Sequence, residues 1–482
     1  MAEQKKKIGI GAIISYGMGD LYGGGSFLII STLFMYFLTD VVGLSPFLAG
    51  LVVMVGKAWD AISDPLMGLI SDRTRSRFGR RRVYFLASIV PVFISFWMLW
   101  ITLRFPSQLA TFVYYLFSYI LFCTVYTIVM VPYSSLPTEM SGDYRERARL
   151  SGARMLFSQL SALLAGTIPG FLVKNLYKDN PSQGFFLVGL IFGLLYALPW
   201  IIVFLGTWEE DIPTARVNKN SGQQSAGLLQ SFKDLRSLLA CRSFRLHIGM
   251  YLLGYTALDI LSASFVYFVT YYIGRGSIYT LCLGSMLIFQ LLSLPLHITI
   301  SNRIGKGRSY AIGAGIVFLV SLIFVTLSPE SPTLLILISS ALLGLGLSPV
   351  VAMPWAMLPE SSDADELTNH IERAGSVAGV FTLCRKLVQA LTLWIFGLLL
   401  QGIGYAAGAT QQSAGAIQGI RYIFVFGPLA FVALGTILAI LYPITPKTFA
   451  LMRKTLEASR AGQTFHCDEA DENRLLKITG KH

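Results

Sequence analysis

Apolar runs of roughly 20 residues recur about twelve times along this chain, and no other feature constrains its fold as strongly. A run of that length crosses the ~30 Å hydrocarbon core of a bilayer as a helix, because a helix satisfies its backbone N–H and C=O groups internally. The runs fall into two groups of six around a polar stretch from about Trp208 to Arg245. Composition agrees: 54% of the 482 residues are hydrophobic and 13% charged, where soluble domains carry about 25% charged residues. Mean hydropathy is +0.62. The expected fold is an all-α polytopic membrane protein, twelve transmembrane helices in two six-helix, pseudo-repeated halves. Its expected divisions are residues 1–207, a cytoplasmic linker 208–244, residues 245–446 and a cytoplasmic tail 447–482. Within the linker, LLQSFKDLRSLL reads as a short amphipathic helix.

A net charge of +12 would suggest nucleic acid as partner for a soluble chain. Here the basic residues sort by loop. MAEQKKK, SDRTRSRFGRRR, DYRERARL, the linker, NRIGKGR and KTFALMRK share one side if the spans alternate, whereas the opposite loops hold chiefly Arg104, Lys174, Lys178, Arg275 and Arg421. By the positive-inside rule both termini are cytoplasmic, and the chain is placed as a multi-pass protein of the cell (inner) membrane, with lipid rather than nucleic acid around it. Cys123, Cys241, Cys282, Cys384 and Cys467 lie far apart, without CxxC or Cys/His spacing, so neither a disulfide framework nor a zinc site is indicated. Nothing resembling a removed signal peptide precedes the first span.

The two halves resemble each other. FMYFLTDVVG (residues 34–43) matches FVYFVTYYIG (265–274) in its Phe, Tyr, Phe, Thr and Gly, and the following basic loop recurs as NRIGKGRSY (302–310). PTEMSGDYRERARLSG (137–152) finds a looser echo in PESSDADELTNHIERAG (359–375). Parallel duplication of this kind is the architecture of many secondary transporters, which places a ligand near the midplane.

Charge inside the apolar runs carries the chemistry. GKAWDAISDPLMG puts Lys57, Asp60 and Asp64 in one span. Left facing lipid, each would cost roughly 2.5 to 3.5 kcal/mol, or about 8 to 10 kcal/mol together. At i, i+3 and i+7 they lie within about 60° of one another on a helix and can face one interior. Asp20 lies in the first span among glycines, Asp259 in the seventh, Arg154 near the start of the fifth, and Arg385 and Lys386 in the eleventh. Facing carboxylates cannot all stay ionised without a cation, so the set binds a proton or encloses a hard cation such as Na⁺. A fixed ion pair that only holds helices together is the plain alternative. Pro65 removes a backbone donor directly after Asp64. The loop SDRTRSRFGRRR, with Asp72, Arg73, Gly79, Arg80 and Arg81, is read as a clamp on neighbouring cytoplasmic helix ends, with PESSDADEL as one candidate partner. His247, His297 and His370 show no ligand spacing. Without HExxH, GxSxG or P-loop, the chain is not read as an enzyme.

DVVGLSPFLAGLVVMVGKAWDAISDPLMGLISDRTRSRFGRRR resembles the glycoside-pentoside-hexuronide:cation symporters, a branch of the major facilitator superfamily, and the resemblance runs to about Arg453. It implies the major facilitator fold and cation-coupled symport of a sugar. It further implies that Asp60 and Asp64 ligate the coupling ion, H⁺ or Na⁺, as metal ligands if the ion is Na⁺. Asp20 and Arg154 would hold sugar hydroxyls, Tyr126 and Thr127 would belong to the fourth-helix site segment, and Thr382 and Lys386 to the eleventh helix, the lysine close to both sites. Met130 stands where melibiose permease, a member of the family, has a further acid, and Ser134 where it has a tryptophan. The first makes H⁺ more credible than Na⁺, and the second puts an α-galactoside in doubt.

The reading that follows is a cation-coupled symporter of a sugar or glycoside working by alternating access, a monomer without a cofactor. Arg154, Arg385, Lys386 and Lys57 together hint at an anionic solute such as a hexuronide. Lys57, one turn before Asp60, reads as an internal counter-cation that the incoming ion displaces. A related branch carries lysophospholipids and shares a VPYS-type segment (Val131 to Ser134 here), so an amphipathic solute is the alternative. A non-transporting sensor using the tail as its output is the second alternative.

Overall fold

The computed structural model describes residues 8–141, 144–209, 236–369, 374–409, 411–460 and 468–480, and among them the secondary structure is all helical. The twelve spans are present. The first, α1, is assembled from Ile10–Met18, Asp20–Ile29 and two π-helical turns, Ile30–Phe34 and Phe37–Val42. Then follow α2 (Pro46–Arg73), α3 (Arg82–Met98), α4 (Gln108–Ser135), α5 (Tyr144–Phe171) and α6 (Pro181–Gly206). The second set is α7 (Arg242–Tyr272), α8 (Tyr279–Ile304), α9 (Lys306–Thr326), α10 (Thr333–Asn369), α11 (Ala374–Gly402) and α12 (Ala414–Leu441). Two helices of the tail, α13 (Pro446–Arg460) and α14 (Glu469–Thr479), complete the chain. Ten of these helices are long and apolar enough to cross a membrane, and Arg82–Met98 is a shorter apolar helix. The helix read near LLQSFKDLRSLL lies mostly outside the described residues, as does His370.

The duplication is visible in the backbone. Each of the matched segments ends in a π-helical turn, Phe37–Val42 and Phe268–Tyr272, followed by a glycine in the left-handed region, Gly43 (φ 85°) and Gly274 (φ 72°). The basic loops repeat the device with Gly79 (φ 101°) and Gly305 (φ 99°). A side chain at any of these φ values is strained, which explains why glycine occupies both copies.

The chain forms two compact units. Unit 1 comprises Met1–Asn220 and Leu393–Ala416; unit 2 comprises Ser221–Thr392 and Ile417–His482. Residues 393–416 thus belong with unit 1, although they follow most of the second repeat in the chain. Tyr405 Oη donates to Asp40 Oδ1 at 2.6 Å, and a Cβ on Gly397 would come 2.5 Å from Pro46 O, so this segment is seated directly on α1 and α2. In unit 1 the Gly24–Gly25 pair lets α1 close on α5, where an added Cβ would collide with Ser158 or Ser161. Ser161 Oγ donates to Leu21 O at 2.5 Å across that contact. An aromatic core lies behind it: Tyr22, Tyr119, Phe122, Tyr196 and Trp200 are all fully buried. In unit 2 the tail docks on the start of α7, with Ile478 fully buried and its carbonyl accepting from Ser243 Oγ at 2.7 Å.

Candidate functional site

Helix α2 runs unbroken through Pro65 and places Asp60 and Asp64 one turn apart, with Ser63 between them. Facing them on α4 is Thr127. Its hydroxyl lies 3.2 Å from Asp60 Oδ1, 2.8 Å from Asp64 Oδ1 and 3.2 Å from Ser63 Oγ. A threonine hydroxyl carries one proton, so it donates to one carboxylate at a time and can accept from Ser63 through a lone pair. Asp60 is 0% exposed, whereas Asp64 is only half-buried. Two carboxylates and two hydroxyls therefore converge on one place, a set of hard oxygen donors suited to a proton or a small cation.

Lys57 projects from the same helix, one turn earlier. Its Nζ lies 3.2 Å from the centroid of the Phe27 ring on α1, and Phe27 in turn stands edge-on to Tyr126 of α4, with centroids 4.5 Å apart. Desolvated cation–π contacts are worth about 2 kcal/mol, part of what makes a buried ammonium tolerable here.

Asp20 and Arg154 meet: Arg154 Nε donates to Asp20 Oδ1 at 3.0 Å, with the arginine and aspartate side chains 32% and 8% exposed. The guanidinium also lies 5.1 Å from the Tyr133 ring, which stacks on Tyr16 at 4.6 Å. Met130, at the position of the missing acid, is buried with its methyl against α1, where a Cβ on Gly23 would come 2.6 Å from it. Ser134 is exposed and turns its hydroxyl back to Val131 O at 2.8 Å. Unit 1 thus collects Lys57, Asp60, Asp64, Thr127, Tyr126, Asp20 and Arg154 on α1, α2, α4 and α5.

Unit 2 holds the remaining site residues. Thr382 is exposed on α11 and donates to Ala378 O at 3.0 Å; Lys386 is one turn further along. Between them Arg385 makes a two-pronged pair with Asp259 of α7, at 2.7 Å and 2.8 Å, and Gln389 Nε2 donates to the same aspartate at 3.1 Å. Arg154 and Arg385, two of the four basic residues behind the hint of an anionic solute, are therefore each matched by an aspartate.

The basic loop clamps helix ends as its composition suggests. Arg80 and Arg81 both pair with Glu139, just beyond α4, the Arg81 Nε contact being 2.5 Å, and Arg81 Nη2 lies 3.0 Å from Asp72. Successive backbone N–H groups of Arg80, Arg81 and Arg82 donate to the Glu209 carboxylate at 2.7, 2.8 and 2.9 Å, which caps the start of α3. Gly79 makes the turn into that nest. Arg82 Nη2 reaches Phe204 O at the end of α6, at 2.5 Å. Within unit 1 this loop is held by Glu139, Glu209 and Asp72, and within unit 2 Glu360 of PESSDADEL pairs with Lys306 at 2.7 Å. Arg73, the last residue of α2, makes none of these clamp contacts.

Several participants carry weak sequence signals. Ser63 sits inside WDAISDP but is an ordinary helix residue by pattern, and Phe27 is one apolar residue among many. Glu209 is one of three successive acids at the edge of the linker, with nothing in the pattern to single it out, and the pairing of Asp259 with Arg385 joins residues 126 positions apart. An acid in an apolar span is the available signal for Asp259; its partner is not readable from pattern.

Comparison with known proteins bears on family and fold. Residues 15–446 match the MFS/sugar transport protein family. The glucuronide carrier protein homolog of Escherichia coli (strain K12) is 27% identical, over 91% of this chain and 93% of that protein. The sodium-dependent lysophosphatidylcholine symporter 1-A of Danio rerio is 25% identical, over 92% of this chain and 86% of its own length. In fold, the chain is similar to the crystal structure of a D-xylose-proton symporter, with a TM-score of 0.60 and 16% identity over 89% of this chain and 96% of that one. Twelve spans in two duplicated halves, a carboxylate pair on the second helix and a family match across nearly the whole length lead to one conclusion: the chain belongs to the MFS/sugar transport protein family, in its branch of glycoside-pentoside-hexuronide:cation symporters.

Proposed function

We propose that this protein is a secondary active transporter that couples H⁺ or Na⁺ to the uptake of a sugar or glycoside by alternating access. The observation that carries the reading is the Asp60–Thr127–Asp64 cluster, sharing unit 1 with the Asp20–Arg154 pair. A cation bound at the acids cancels their repulsion, and a solute held by Asp20 and Arg154 favours the same closed arrangement. A linkage of about 1 to 3 kcal/mol between the two gives 5- to 150-fold mutual tightening. The chain is not an enzyme in this reading and carries no cofactor. It works as a monomer in the cell (inner) membrane with both termini cytoplasmic.

Arg154 and Arg385 each meet an aspartate, so neither presents an unbalanced positive charge to a solute. That supports a neutral, hydroxyl-rich solute over a hexuronide. A lysolipid is the second reading; the name of the Danio rerio relative favours it, and so does the exposed apolar row Ile62, Leu66 and Ile70 along α2. A sensor that binds without transporting is distinguished by binding with no flux. The test is uptake into proteoliposomes of neutral glycosides, hexuronides and lysolipids, with Na⁺ and pH gradients imposed separately. Accumulation of a neutral glycoside driven by one of the two gradients is the expected result. Accumulation of lysolipid alone replaces it with the second reading, and no gradient-driven uptake of any member refutes symport.

A further inference from the structure

Unit 2 contains an acid–arginine pair of its own on the corresponding helices, with the arginines in the register of the repeat and the aspartates about two helical turns out of it. In α1 an aspartate follows a tyrosine by one helical turn, Tyr16 to Asp20, and in α7 the same pattern recurs as Tyr255 to Asp259. Each acid pairs with an arginine from the fifth helix of its half, Arg154 or Arg385, and these two are separated by the same interval as the matched Phe34 and Phe265. Each guanidinium also lies over a tyrosine ring, Tyr133 at 5.1 Å and Tyr255 at 4.7 Å.

The α11 side of the second pair is a polar stripe. Thr382, Arg385, Lys386 and Gln389 occupy i, i+3, i+4 and i+7 of a span whose remaining residues from Val377 to Gly402 are mostly apolar, so they share one face. Facing lipid, the two basic residues alone would cost roughly 5 to 7 kcal/mol. Such a face lines a polar space or packs on other polar groups. The resemblance to known symporters assigns Thr382 and Lys386 to solute and is silent on Arg385, Gln389 and Asp259.

We infer that Arg385, held in place by Asp259 and Gln389, contacts the solute and reads two neighbouring hydroxyls of a neutral sugar ring. This rests on the sugar-symport reading above. The chemistry follows from the pairing. With both Nη groups engaged by one carboxylate, the pair is neutral as a whole yet still offers N–H donors on the guanidinium and spare lone pairs on Asp259. A vicinal diol satisfies both, one hydroxyl accepting from the arginine while the other donates to the aspartate. A solute carboxylate taking those N–H groups would stand beside the Asp259 carboxylate, which is 4% exposed, and like charges that close in a buried site repel. The pair therefore selects for hydroxyls and against anions.

The test uses the full chain in proteoliposomes with methyl β-D-glucopyranoside, its monodeoxy analogues and methyl β-D-glucuronide as probes. For Arg385→Gln the KM for the parent glycoside rises about tenfold or more, as expected for losing a charged hydrogen bond, while the maximal rate stays within about twofold. The deoxy analogue lacking the clamped hydroxyl shows no further rise. Arg385→Lys, which keeps the charge, raises KM in the same selective way because an ammonium cannot fork; it serves if the glutamine variant does not fold. The inference is overturned if either variant weakens every analogue equally, or if the exchanged pair D259R/R385D restores the parent KM, since a merely structural ion pair needs only opposite charges. A wild type that accumulates no neutral glycoside overturns the sugar-symport reading and this inference with it. Normal uptake with an unaffected Arg385→Gln KM overturns the inference alone.

Discussion

The second helix of each half shows what duplication retained and what it released. DAISDPLMGLISDR (60–73) on α2 aligns with QLLSLPLHITISNR (290–303) on α8. Ser63, Pro65, Ser71 and Arg73 recur as Ser293, Pro295, Ser301 and Arg303, so the helix geometry is kept. Asp60 and Asp64 become Gln290 and Leu294. The second helix of the other half therefore lacks the two acids that Thr127 bridges in unit 1. An acid–arginine pair, by contrast, occurs in both halves, with the arginines in the register of the repeat and the aspartates out of it.

The largest effect expected from breaking this asymmetry is in Asp60→Asn or Asp64→Asn. Uphill accumulation should fall by about 100-fold, toward the loss of linkage, while solute exchange across equal gradients persists; gradient-driven uptake beside counterflow measures both. Placing the acids in the other copy, Q290D with L294D, should create no second coupling site. It should destabilise the protein by roughly 2.5 to 3.5 kcal/mol per acid, read as lost thermal stability in detergent.

The loop clamps sharpen the same comparison. Both acids are buried, but Glu139 pairs with two arginines whereas Glu360 pairs with Lys306. Glu139→Gln should cost about 3 to 5 kcal/mol in unfolding free energy, as breaking a buried ion pair does. Glu360→Gln should cost markedly less, and equal losses would deny the difference between the halves. Thr127→Val, which keeps the shape and removes the hydroxyl, should weaken apparent cation affinity by about tenfold, the worth of one hydrogen bond to a charged group. Lys57→Ala should change cation preference or affinity by a smaller factor of about fivefold. Unaltered coupling in that variant would make the lysine only a packing element on Phe27.

Much of the fold is legible in the amino-acid sequence. Span length follows from bilayer thickness, and the matched segments ending in Gly43 and Gly274 announce the repeat. The face shared by Lys57, Asp60 and Asp64 follows from helical periodicity. Resemblance adds Thr127, Asp20 and Arg154, and the structure brings Thr127 to the two acids and Arg154 to Asp20. Partners from distant segments are not legible: Glu209 under three backbone N–H groups of the basic loop, Phe27 under Lys57, Tyr405 on Asp40, and Ile478 against the start of α7. The aspartates that meet Arg154 and Arg385, two of the four basic residues behind the hint of an anionic solute, are not legible either.

The amino-acid sequence by itself determined that this chain crosses a membrane twelve times, that its halves are duplicates, and that one helix carries a charged face lipid would reject. Those properties depend on local pattern and on the cost of burying charge. Tertiary structure alone decided which charges neutralise which, which hydroxyl bridges the two acids, and that residues 393–416 are seated on the first unit. Periodicity says which way a side chain points from its own helix; only the packing of helices says what it points at.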